Sequence, residues 1–205
     1  LMDEPLSNID TALRNELRSE ITQLQKDLKT TLVYVTHDQQ EALSMSDRIA
    51  ILNEGKLIQI GTPDEIYNNP HTTWIGSFIG NPPMNVLNCK ISDTDIVVSD
   101  SLKFSIDGDI KQKISKYTKS NITVGVRPEE IQTHSSENSV SINIKSDFSE
   151  VFGDVSVIHF NLANQKLSVK TSTKDSIPFD HKYNLYFNPS NLKFFDYDTG
   201  VSLDQ

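Results

Sequence analysis

Two adjacent acids at the end of a short apolar run, Asp3 and Glu4 after Leu1 and Met2, are the first residues of the chain equipped for chemistry. Acids leaving the carboxyl edge of a parallel sheet stand where open α/β folds bind their ligands. One such carboxylate can hold Mg²⁺, mostly through water, because that ion gives up its hydration shell reluctantly. Its neighbour points elsewhere and can orient or deprotonate an attacking water. His37 ends a second apolar run, residues 31–36 (TLVYVT), and so reaches the same edge. An imidazole there can touch a phosphate or steer that water. Alone, an Asp-Glu pair is usually two solvated acids and a lone histidine a structural or surface residue. The strings around them decide.

Those strings ask for an α/β framework. Ile9, Leu13, Leu17, Ile21, Leu24 and Leu28 recur at steps of three and four, with Arg14, Glu16, Arg18, Glu20 and Lys26 opposite. This predicts a helix over residues 9–29 that covers a sheet. Residues 31–36 are β-branched and apolar on both faces, the pattern of a buried parallel strand. A polar helix over 38–45 and a strand over 48–52 follow, and strand, helix and strand in that order imply a right-handed crossover. Residues 53–56 turn into a strand over 57–60, and Thr62-Pro63-Asp64-Glu65 opens a short helix.

Gly80-Asn81-Pro82-Pro83 marks a boundary. Beyond it the chain shows short alternating runs at 86–91, 96–98, 102–106, 122–126, 140–144, 155–162, 166–169 and 183–187. Such runs between Asp, Asn, Ser and Gly turns predict an antiparallel sandwich or small barrel. The expected organisation is an α/β segment over 1–80 and a β-rich segment over 81–205.

The ten-residue string Leu1-Met2-Asp3-Glu4-Pro5-Leu6-Ser7-Asn8-Ile9-Asp10 resembles the Walker B end and following D-loop of ATP-binding-cassette (ABC) ATPases. His37, within Tyr34-Val35-Thr36-His37-Asp38, is similar to their switch histidine. Asp47 to Leu52 and Gly55 to Pro70 resemble the end of an importer ATPase domain, and Phe78-Ile79-Gly80-Asn81-Pro82-Pro83-Met84-Asn85 the junction found in maltose and multiple-sugar importers. Val126-Arg127-Pro128-Glu129 and the stretch from Leu185 to Gly200 resemble their C-terminal domain. The resemblance is dense over residues 1–87 and patchy beyond.

It implies the α/β C-terminal part of a P-loop ATPase domain, followed by an all-β, oligonucleotide-binding-like (TOBE-type) regulatory domain. It also implies ATP and Mg²⁺ as cofactors. By resemblance, Asp3 would hold Mg²⁺ through water, Glu4 would act on the attacking water and His37 would contact the γ phosphate. Ser7, Asn8 and Asp10 would reach across a head-to-tail homodimer. The implied partners are a second ATPase subunit, integral membrane permeases and, indirectly, an extracellular substrate-binding protein, with the subunit cytoplasmic on the inner face of the cell membrane. Sugars are the expected cargo. Polyamine, iron and glycerol-phosphate importers have related ATPases, and a non-enzymatic regulatory or dimerisation module is the rival reading.

The G-x-x-x-x-G-K-[ST] phosphate loop is absent from the sequence, as is the glycine-rich signature of the family. The chain is therefore expected to be the C-terminal part of something longer and not to hydrolyse ATP alone, since phosphoryl transfer needs the β and γ phosphates positioned and neutralised. In this reading residues 1–80, with 6 basic and 12 acidic side chains, would repel nucleotide.

Composition is consistent. A net charge of −9 over 205 residues argues against nucleic acid or an anionic membrane surface as main partner. Cys89 stands alone, which excludes an internal disulfide and a multi-cysteine zinc site. No apolar run reaches the roughly 20 residues of a membrane-spanning helix. Asp93-Thr94-Asp95 and Asp107-Gly108-Asp109 hint at calcium loops but lack the closing glutamate and read as turns. Phe194, Phe195 and Tyr197 could stack on bases. Without a basic groove they read as core and interface residues.

Overall fold

The computed structural model describes residues 1–99, 102–106, 108–136, 138–175 and 181–204, and the chain divides into two compact units, Leu1–Asn68 and Asn69–Gln205. In the first, β1 (Met2–Asp3) leads through a turn to α1 (Thr11–Leu28), β2 (Tyr34–Val35) and α2 (Gln39–Met45). The two strands pair in parallel, Met2 opposite Tyr34 and Asp3 opposite Val35. Asp10 caps α1, its carboxylate accepting from the Leu13 amide at 3.1 Å, and Lys29 ends it in the left-handed conformation.

Two expectations fail here for one reason. The helix does not cover a sheet: none of its residues is buried, Leu13, Leu24 and Leu28 are exposed, and Arg14, Leu17, Arg18 and Ile21 are the better shielded side. Nor is the parallel strand buried, Val33 being 58% and Val35 45% exposed. A helix of 18 residues is about 27 Å long at about 1.5 Å per residue. A two-residue ladder spans only about 7 Å and cannot cover it.

β3 (Ile49–Asn53) and β4 (Lys56–Gly61) form a hairpin whose turn has positive φ at Glu54 and Gly55, the two-residue turn that matches strand twist. β3 pairs with β4 alone, in a sheet separate from β1–β2, so the expected crossover is not formed among the described residues. α3 (Pro63–Asn68) opens with a reciprocal cap. The Glu65 amide donates to Thr62 Oγ1 at 3.2 Å, and the Thr62 amide to Glu65 Oε2 at 2.7 Å.

The second unit begins with α4 (Thr73–Phe78) and continues through β5 (Asn85–Ser92), β6 (Asp95–Ser99), β7 (Leu102–Ser105), α5 (Gly108–Lys113), β8 (Asn121–Val126) and β9 (Ile131–Gln132). β10 (Val140–Phe152), β11 (Val155–Leu162), β12 (Gln165–Ser172), β13 (Lys182–Phe187) and β14 (Lys193–Asp196) complete it. Two five-stranded antiparallel sheets result, ordered β14-β8-β5-β6-β7 and β12-β11-β10-β13-β9. Their alternating inner residues, Ile96, Ile122, Ile158, Phe160, Val169, Leu185 and Phe194 among them, share one core. Phe194 and Phe195 are fully buried, Tyr197 is exposed, and Asp93-Thr94 is the β5–β6 turn; Asp107 lies outside the described residues.

Residues 69–80, grouped with the first segment by the proline boundary, pack instead with the β sheets. Ile75 and Ile79 are buried, the Thr73 amide donates to Gly200 O at 2.9 Å and the Met84 amide to Gly76 O at 3.1 Å. Met84 is seated between Gly76 and Gly125. A Cβ at Gly125 would lie 2.7 and 2.8 Å from the Met84 Cε and Sδ and 2.9 Å from the fully buried Phe195 ring. Gly125→Ala is therefore expected to destabilise this unit by about 1–3 kcal/mol through overpacking. In a denaturation double-mutant cycle that cost should shrink in a Met84→Ala background. Equal costs in both backgrounds would show that Met84 is not the obstacle.

Candidate functional site

The carboxyl ends of β1 and β2 carry the site. Glu4 continues the ladder by donating its amide to Val35 O at 2.9 Å, then takes a left-handed φ of 43°. For a residue with a Cβ that conformation costs roughly 1–2 kcal/mol. The turn after it closes on Glu4's own carbonyl, which accepts from the Ser7 amide at 3.3 Å and the Ser7 hydroxyl at 3.0 Å, while Leu6 is buried beneath. Glu4 is thus aimed by its backbone.

His37 follows β2, and its Nδ1 lies 2.9 Å from Glu4 Oε1. Both side chains are open to solvent. The hydrogen bond to Glu4, and then Glu4's negative charge, raise the His37 pKa above its ordinary value. Because the folded value is the higher one, the pair's stabilising contribution is complete below the free imidazole's value of about 6.5 and is lost as pH rises through the folded value. The urea midpoint followed on the His37 resonances should accordingly be higher at pH 5.5 than at pH 8.5, and that difference should shrink in Glu4→Gln. A difference unaltered by Glu4→Gln would detach it from this pair.

Of the residues singled out from sequence, the structure brings Glu4 and His37 into contact and sets Ser7 on the Glu4 backbone. Asp3 is exposed at the end of β1, Asn8 is exposed in the loop, and Asp10 is engaged as the cap of α1. Among the described residues no three His, Cys, Asp or Glu side chains gather as an all-protein metal cage. A single exposed carboxylate such as Asp3 suits Mg²⁺, which completes its shell with water and phosphate oxygens.

Sequence reasoning missed the polar network around the His37 turn. Asp38 Oδ1 caps α2 by accepting from the Gln40 amide at 2.8 Å and the Glu41 amide at 3.3 Å. Its Oδ2 faces Arg14 Nη1 at 3.6 Å and Arg18 Nη2 at 3.4 Å. Glu41, only 4% exposed, accepts from Tyr34 Oη at 3.0 Å and Thr36 Oγ1 at 2.7 Å, and Thr36 Oγ1 accepts from the Asp38 amide at 2.9 Å. Burial, then the hydrogen bond to Glu41, raises the Tyr34 pKa. Asp38 and Glu41 have the spacing of a capping box, although Glu41 turns to Tyr34 and Thr36 instead of the Asp38 amide, and that spacing is the signal in the sequence that could have found this network.

Curated relatives match nearly the whole chain. It is 36% identical over 206 residues to the sn-glycerol-3-phosphate import ATP-binding protein UgpC of Yersinia pestis bv. Antiqua, a match covering 100% of this chain and 56% of the relative. It is 36% identical to the oligosaccharides import ATP-binding protein MsmX of Bacillus subtilis (99% and 57% covered) and 32% identical to the multiple sugar-binding transport ATP-binding protein MsmK of Streptococcus mutans (99% and 58%). Residues 80–131 match the MalK OB fold domain. The chain fits the C-terminal portion of an ABC importer ATPase.

It spans about half the length of the curated relatives it matches. The OB match runs from Gly80 to Ile131, across β5 to β8, and includes Arg127. That side chain is 7% exposed, and its Nη1 donates to Gly76 O at 3.2 Å and Ile79 O at 2.5 Å. No helix among the described residues is long and apolar enough to cross a membrane.

Proposed function

We propose that the chain is part of the ATP-binding and ATP-hydrolysing subunit of an ABC importer that energises sugar uptake. The observation that supports this reading best is the contact between Glu4 and His37 at 2.9 Å, at the carboxyl ends of two parallel strands. Glu4 accepts a proton from the attacking water, and His37 beside it contacts the γ phosphate. Asp3 holds Mg²⁺, which when bound offsets phosphate charge. Ser7, Asn8 and Asp10 reach the second subunit of a homodimer, and membrane permeases receive the work, which places the subunit at the cytoplasmic face of the membrane. The ATPase domain is assigned to residues 1–80 and the regulatory domain to residues 81–205, with residues 69–80 packing on the sheets of the latter. A glycerol-phosphate cargo is the second reading, because UgpC is as similar to this chain as MsmX is.

The test joins the part of MsmX that precedes the matched region to this chain and measures Mg-ATP hydrolysis. Turnover well above that of the 205-residue chain alone is expected. No gain in turnover would remove the ATPase reading and leave the non-enzymatic module.

A further inference from the structure

His37 has no buried anchor of its own. Its imidazole is exposed, and its place is set by the backbone between Thr36 and Asp38. Both neighbours are held. Thr36 Oγ1 donates to the buried Glu41 and accepts from the Asp38 amide. Asp38 uses one carboxylate oxygen to cap α2 and turns the other toward Arg14 and Arg18.

Those arginines lie one turn apart on α1, the helix that leaves the Ser7–Asp10 loop. The Arg14 Nη2 also donates to Ile9 O at 2.8 Å, so the same side chain grips both the loop end and the histidine turn. The guanidiniums are largely withdrawn from solvent, with side-chain exposures of 26% and 15%. Exposed ion pairs contribute little. Partial burial and a shared acceptor favour a fixed arrangement.

We propose that Arg14 and Arg18, acting through Asp38, are positioning residues that tie α1 and the Ser7–Asp10 loop to the turn carrying His37, so that the imidazole's place beside Glu4 depends on where α1 lies. A displacement of the loop moves the arginines, the arginines move Asp38, and His37 leaves or regains Glu4. The tie's importance for catalysis rests on the function proposed above, but its existence does not.

The experiment titrates His37 by NMR in the 205-residue chain, unsubstituted and with R14M/R18M, R18K and Thr36→Val. Removing two cations would by charge alone raise the His37 pKa, whereas breaking the tie separates the imidazole from Glu4 and lowers it toward about 6.5. The tie predicts the fall. Thr36→Val changes no charge and should also lower it, while R18K should stay near the unsubstituted value. Persistent exchange protection of the Glu4 amide, which donates to Val35 O, reports that the strand pair survives each change. A rise or no change in R14M/R18M, no change in Thr36→Val, loss of that protection, or an ordinary His37 pKa in the unsubstituted chain overturns the proposal. None of these readings uses ATP, so they fail or succeed independently of the hydrolysis test.

Discussion

Arg127→Met is expected to lower the stability of the β-sheet unit by about 2–4 kcal/mol, read as a fall in its urea midpoint. Methionine keeps the unbranched stem, so the packing change is small. What it removes is a charged donor shared by two carbonyls, Gly76 O and Ile79 O, at and just after the end of α4. Hydrogen bonds to charged groups contribute about 1.5–3 kcal/mol each, and since Gly76 O keeps the Met84 amide as a donor, the loss falls mainly at Ile79 O. The guanidinium's own desolvation opposes part of this, which brings the net into the stated range. At 7% exposure little solvent screening applies. Because the carbonyls lie in and just after α4 and Arg127 directly follows β8, amide exchange should quicken first at Gly76 and Ile79, whose N–H groups donate to Thr72 O and Ile75 O. A loss under about 0.5 kcal/mol would reduce Arg-Pro-Glu to a strand ending in a proline turn.

Seven of the eight alternating runs fall within observed strands and the eighth, 102–106, ends one residue past β7, because each strand has one face on the shared core and period-2 burial writes itself into the sequence. β14 escaped for the opposite reason. Its Phe194 enters the core between the sheets while Phe195 packs beside Gly125 and Met84, so both faces are covered and alternation disappears. The far half of β10, from Ser146 onward, escaped because Phe148, Val151 and Phe152 are exposed there. In the first unit, the stripe of α1 and the apolar run at 31–36 predict a burial that residues 1–68 do not supply, because the two-residue ladder is too short to cover the helix.

The site divides in the same way. Glu4 and His37 were legible because their residue types and strand-end places suffice to nominate them. Arg14 and Arg18 were not, since charged residues opposite an apolar stripe read as a solvated face. What turns them inward is Asp38, 20 residues beyond Arg18. A helical pattern carries no record of so distant a partner. Glu4's left-handed backbone was equally invisible, because glutamate has no preference for that region and the turn on Ser7 imposes it.

Glu4→Gln, made in the MsmX-joined protein, is expected to reduce kcat for ATP hydrolysis by about 10²–10⁴-fold, the usual contribution of a general base. ATP affinity should hold or improve. Glutamine has the same length and its amide oxygen can still meet the His37 ring, so the strand-end geometry is preserved while the proton acceptor is lost. Removing one carboxylate also lessens repulsion of the nucleotide's phosphates in an acidic segment. A loss confined to kcat marks an interaction made in the transition state, whereas a raised KM with unchanged kcat would mark lost binding. The same substitution in the 205-residue chain should return the His37 pKa toward its ordinary value, because Glu4 supplies both the first and the second cause of its elevation. The two readouts then separate chemistry from placement. A normalised His37 with unimpaired turnover would leave the contact real and Glu4 outside the mechanism, while a collapsed kcat with His37 still elevated would mean that another acid holds the imidazole.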